Sequence, residues 1–232
     1  MLSRSLPVLA LISAPASAAA PVTVAVQGPN GAPLAGAVVT LEVAGRTAPA
    51  PRGTYQVEQR DIQFQPHVTI VPVGATVTFP NRDKVRHHVY SFSKPKKFEL
   101  KLYGREEARS VTFDKPGPVA LGCNIHDAMQ GFVFVAATPW AAQADAGGRV
   151  RWADVPAGQA VLKVWHPSIR APGNTLSQPV VVGANGYQTT LTIRRGSALP
   201  ASDSARFGPS SASSTPGCSR SRSWRSRGWC RW

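Results

Sequence analysis

Short apolar runs rich in Val, Thr and aromatic residues, separated by Gly, Pro and Asn, recur along the whole chain. That texture predicts many short strands joined by turns, and an all-β fold. Val22-Thr23-Val24-Ala25-Val26 and residues 37–43 flank Gly28-Pro29-Asn30-Gly31, a turn tetrapeptide, so the first block reads strand, turn, strand. A connector rich in Pro, Ala and Gly follows over residues 45–53. A second block predicts strands at 55–57, 61–64, 68–74, 75–81, 86–90, 97–103, 111–113, 119–122 and 131–137. Strands at this spacing suit a sandwich or a barrel. A third block, from residue 138 to about 194, carries strand-like runs within 145–152, 154–158, 161–167, 179–182 and 189–193.

The ends depart from this texture. Arg4, the apolar run 6–12 and the small-residue site Ala16-Ser17-Ala18 read as a signal peptide over residues 1–18. Cleavage is expected after Ala18, with Ala20 as the alternative, and the protein is expected in a periplasm. The apolar run is shorter than the roughly 18 residues a span needs, so no stable membrane insertion is expected. At the other end, residues 196–232 hold Arg206, Arg220, Arg222, Arg225, Arg227 and Arg231 against Asp203, with no apolar period. This predicts a disordered basic tail, which contributes to the formal charge of +14. The composition changes so abruptly there that a shifted reading frame would account for it. Basic charge invites a nucleic-acid partner, but the leader and the lack of any binding motif argue for no nucleic acid. Acidic partners or an anionic surface fit better. Three cysteines is an odd number for an exported protein, so one is expected to do something other than pair. Cys218 and Cys230 in the tail are left to form one disulfide or remain free.

That one cysteine opens the run Cys123-Asn124-Ile125-His126-Asp127-Ala128-Met129, between two predicted strands. Thiolate sulfur, imidazole nitrogen and a weak axial thioether are three of the donors of a blue-copper electron-transfer site. A second histidine is missing from the loop, and Arg86-His87-His88-Val89-Tyr90 offers two. On a regular strand His87 and His88 would face opposite ways, so only one is a ligand, and period alone does not choose. Structural zinc fits less well, because a thioether is a poor fourth ligand. A cysteine hydrolase would need an oxyanion motif that is not visible. His67 reads as a partly exposed strand histidine and His166 as structural. Trp152 and Trp165 read as core.

Two resemblances add to this. "IQFQPHVTIVPVGATVTFPNRDKVRHHVYSF" and the Cys-x-x-His-x-x-Met loop resemble the amicyanin- and plastocyanin-like cupredoxins over about residues 54–137. The combination "KVRHHVYSFSxxKxFELKLY" with "GCNIHDxM" is similar to the group labelled methylamine utilization proteins. The resemblance implies a Greek-key cupredoxin sandwich with one mononuclear type 1 copper site. Its ligands would be His87, Cys123 and His126, with Met129 axial. His88 stands where the family has Asn and Arg86 where Pro is common. "GAPLAGAVVTLEV" and "ADAGGRVRWADVPAGQAVLKVWHP" resemble consecutive pieces of a carboxypeptidase-regulatory-like or transthyretin-like β-sandwich. That implies a second small sandwich split over residues 21–50 and 138–195, with the cupredoxin domain inserted in one of its loops; the alternative is a single cupredoxin with extra strands at each end. The function implied is a one-electron carrier rather than an enzyme, exchanging electrons with a c-type cytochrome or a periplasmic dehydrogenase. The competing expectation is a copper chaperone or an envelope binding module. Arg82, Lys84, Arg86, Lys94, Lys96, Lys97 and Lys101 cluster along the histidine segment and would steer an acidic partner toward the metal.

Overall fold

Ala20, Val22, Val24 and Val26 are fully buried and alternate with more exposed neighbours, the period of two by which a strand covers one face of a core. The computed structural model describes residues 19–193. Its strands in chain order are β1 (Ala19–Gln27), β2 (Val38–Val43), β3 (Tyr55–Gln56), β4 (Glu58–Arg60), β5 (Gln63–Gln65) and β6 (Val68–Pro72). Next come β7 (Ala75–Pro80), β8 (His87–Ser91), β9 (Phe98–Tyr103), β10 (Ala108–Phe113), β11 (Gly117–Gly122) and β12 (Gln130–Ala136). The series ends with β13 (Trp140–Gln143), β14 (Arg149–Pro156), β15 (Gly158–Trp165), β16 (Thr175–Val182) and β17 (Tyr187–Thr192). The chain is all-β, and among the described residues a single 3-10 turn, Pro172–Asn174, is the sole helical element. No helix is long and apolar enough to cross a membrane among those residues. The expected leader, and the basic tail with Cys218 and Cys230, lie outside the described residues.

Strands from both ends of the described chain form one pair of sheets, ordered β14-β1-β17 and β13-β2-β15-β16. Val22, Val24, Val39, Leu41, Leu162 and Val164 fill the space between them. The middle of the chain forms a second pair, β10-β7-β3 and β6-β12-β11-β8-β9, around Phe64, Val77, Phe79, Val89, Phe113 and Val133. The chain therefore leaves the first pair after β2 and returns at β13, where Trp140 pairs with Leu41. Thr138 pins the return: its hydroxyl donates to the Leu41 carbonyl at 2.6 Å and accepts from the Trp140 N–H at 3.2 Å.

Trp165 differs from expectation. It lies at the seam where the two pairs of sheets meet, clustered with Val38, Val68, Phe134 and Ala136 rather than inside the first core. Its ring centroid is 5.0 Å from that of Phe132 and 5.7 Å from that of Phe134. A buried aromatic in sequence reads the same whichever interior it fills. Trp152, by contrast, packs against the first core. The run 61–64 is also not one strand. Asp61 and Ile62, at φ of 55° and 58°, make the two-residue turn between β4 and β5. Positive φ at both positions is the hairpin geometry normally supplied by Asn-Gly, so Asp-Ile gave no turn signal.

Candidate metal centre

The loop 123–129 closes the hairpin of β11 and β12, whose last pair before it is Gly122 opposite Gln130. Cys123 therefore leaves a sheet strand already held in register. The Met129 N–H donates to the His126 carbonyl at 2.9 Å, which folds the second half of the loop into a turn. Apolar packing then sorts the loop. Cys123 and Met129 are buried within the second core, while Ile125 is 52% exposed. Gly122 allows the close packing behind the cysteine, since a Cβ there would stand 2.7 Å from the Tyr90 ring.

His87 comes to Cys123 from β8. Both His87 and His88 are buried, at 0% and 5% exposure, yet they face opposite ways as a strand requires: His87, like Val89, turns to the core that holds Cys123, while the His88 ring lies 5.6 Å from that of Tyr90. The β8–β9 register shifts here, with the extra residue on β9 between Leu100 and Tyr103, so β8 keeps its alternation. Their partners differ. His87 Nδ1 lies 3.9 Å from Cys123 Sγ and its Nε2 lies 2.7 Å from Asp83 Oδ2. His88 Nε2 instead meets Glu99 at 2.9 Å.

Ligand atoms of His87, Cys123 and His126 all lie within 4.8 Å of one another. Imidazole and thiolate bond a small metal at about 2.0–2.3 Å, so donors this close reach a shared ion with small movements. The rings of His87 and His126 are 5.1 Å apart. His126 Nδ1 is buried without a hydrogen-bond partner. Burying a polar nitrogen unpaired is costly, and a metal ion in the cluster would remove the cost. The donor set, two imidazoles and a thiol with a thioether buried in the same core, fits copper.

Asp83 was visible in sequence only as part of a resemblance. Burial pushes its carboxyl up, but hydrogen bonds from His87, Ile62 and Asp61 and the charge of His87 outweigh that and hold it below its ordinary 3.8. An acidic residue four positions before a candidate ligand was the available signal.

No family model matches the sequence, and no curated protein matches it. Among solved structures, the chain is similar to a copper-containing nitrite reductase from Thermus scotoductus SA-01, at 31% identity and a TM-score of 0.35. That match covers 40% of this chain and 24% of the reductase, so the chain spans about a quarter of the reductase's length. It is also similar to a reduced amicyanin mutant, at 25% identity and a TM-score of 0.33, over 41% of this chain and 98% of the amicyanin. A purple cupredoxin from Nitrosopumilus maritimus matches at 24% identity and a TM-score of 0.32, over 35% of this chain and 99% of its own.

The other candidates lie apart from the cluster. His67 is exposed and meets Phe132 edge-on at 5.4 Å. His166 bonds Ser168 through Nδ1 at 2.6 Å, and burial, with the charge of His67, holds it below the ordinary 6.5. In the basic run, Arg82 is paired with Glu106 and Glu58, and Lys96 with Asp114. Lys84, Lys94, Lys97 and Lys101 make no salt bridge among the described residues.

Proposed function

We propose that this protein is an exported type 1 copper protein that carries single electrons, in which His87, Cys123, His126 and Met129 would hold one copper ion. The observation that carries this is the buried His–Cys–His cluster, with Nδ1 of His87 toward the thiol and Nδ1 of His126 unpaired. Bound there, copper supplies a Cu(II)/Cu(I) couple. The chain's part is to hold unlike donors in one arrangement, so that little must move between oxidation states. Cys123 would hold the metal as thiolate, its proton passing to solvent. Burial of Cys123, His87 and Met129 keeps water from the donors on that side, while His126, half-buried, lies nearest solvent.

The partner class is a redox protein such as a c-type cytochrome or a periplasmic dehydrogenase, the latter in keeping with the methylamine utilization label. Its location is proposed as periplasmic. An intact mass beginning at Ala19 would support cleavage of the leader; a mass retaining Met1 would oppose it. We propose a carrier rather than an enzyme, because one mononuclear site of this donor type suits electron transfer without bond chemistry.

Copper loading tests the reading. The wild-type protein should gain an intense visible thiolate-to-copper band and reversible one-electron redox, and C123S should lose the band. A colourless copper site that passes its metal to a chelator would favour a chaperone instead.

A further inference from the structure

Asp83 is not a donor in the cluster, yet one of the cluster's imidazoles depends on it. It lies in the loop between β7 and β8. Its Oδ1 accepts the Asp61 N–H at 2.7 Å and its Oδ2 accepts the Ile62 N–H at 3.0 Å. Oδ2 also meets His87 Nε2 at 2.7 Å. An ionised carboxylate only accepts, so Nε2 carries the proton and a neutral His87 has a bare Nδ1. That bare nitrogen is the one 3.9 Å from Cys123 Sγ.

The carboxylate is itself held. Asn81, fully buried, accepts the Asp83 N–H at 2.9 Å through Oδ1. Its amide donates to the Val85 carbonyl at 2.8 Å and the Tyr103 carbonyl at 3.1 Å. The loop is thereby tied to β9 on one side, and the Asp61–Ile62 turn closes over it on the other. His87 is 0% exposed, so no water competes for Nε2.

We propose that Asp83 is a positioning residue for His87. It fixes the ring proton on Nε2, aims Nδ1 at the Cys123 sulfur, and its negative charge favours the more highly charged oxidation state of bound copper. This rests on the copper reading above. Outer partners of metal-bound histidines act in this way generally, by setting tautomer, orientation and donor strength. A purely structural role, holding the β4–β5 turn, would leave the reduction potential where it was.

Three proteins test it: wild type, D83N and D83A. D83N keeps an acceptor oxygen and loses the charge. Its Cu(II)-over-Cu(I) preference should fall about tenfold or more, an upward shift in potential of about 59 mV or more for a one-electron couple. D83A should bind Cu(II) about ten- to a hundredfold more weakly. In metal-free, nitrogen-15-labelled protein, His87 of the wild type should carry its proton on Nε2, and D83A should lose that preference. An unchanged potential in D83N, or wild-type His87 protonated on Nδ1, would overturn the proposal. A wild type that takes up copper without the thiolate band would sink the copper reading, and the metal-free spectra would still decide for or against Asp83. Should D83A fail to fold, D83N and the wild-type spectrum carry the test.

Discussion

Two adjacent histidines, both buried, have different chemical situations. His87 has a carboxylate on one nitrogen and a thiol near the other, whereas His88 has Glu99 on one nitrogen and nothing on its buried Nδ1. Substituting each by Asn separates them. H87N should abolish the visible copper band. H88N should retain it, at a stability cost of about 1–3 kcal/mol from the altered buried hydrogen bonding; absorption of the copper-loaded variants and denaturant titration check both. A lost band in H88N would mean that His88 reaches the metal. In sequence the pair could be resolved only by resemblance, because alternation gives the two histidines opposite faces without saying which face meets Cys123.

Among the elements, the short β4–β5 hairpin carries the clearest conflict between local preference and tertiary structure. Ile62 is β-branched and sits at φ 58°, a conformation costing roughly 1–2 kcal/mol for an L-residue with a Cβ. Its side chain contributes little, being 46% exposed. The turn persists because its two N–H groups meet the Asp83 carboxylate. I62G should therefore raise unfolding stability by about 1 kcal/mol and leave the copper spectrum unchanged, since the N–H to Asp83 remains. Chemical denaturation with and without copper measures this; a destabilised variant would show that Ile62 packs more than its exposure implies. The Cys123–Met129 loop was legible because donors and flanking strands lie within a few residues of each other. The hairpin tip was not, because its stabilising partner lies some twenty residues downstream.

For the molecule as a whole, charge and packing have separate consequences. Arg82 and Lys96 along the histidine segment are already neutralised, so steering falls to Lys84, Arg86, Lys94, Lys97 and Lys101. With ferricyanide as an anionic oxidant of the copper-loaded protein, the rate should fall as ionic strength rises from 0.01 to 0.15 M, where the screening length shrinks from about 30 to about 8 Å. A K94E/K97E double variant should flatten that dependence; a salt-independent wild-type rate would remove steering from the account. The all-β class was readable because strand-forming runs and turn residues alternate along the chain. The place of Trp165 was not, since a seam between two bodies uses the same residue types as a core.

The parallel pairing of β1 with β17 joins the first described strand to the last, Val22 lying opposite Tyr187. Order of assembly follows from that. A chain made from its N-terminus presents β1 early, yet β1 must wait for β17 before its second edge is covered. Everything from β3 to β12 has by then been made and has its own partners. Closing so long a loop costs less conformational entropy when its middle has already condensed and brought its ends together. The sandwich that holds the His–Cys–His cluster is thus placed to form first and to serve as the template on which the other closes, and a chain cut short before β17 would keep the donors while leaving the edge of β1 bare.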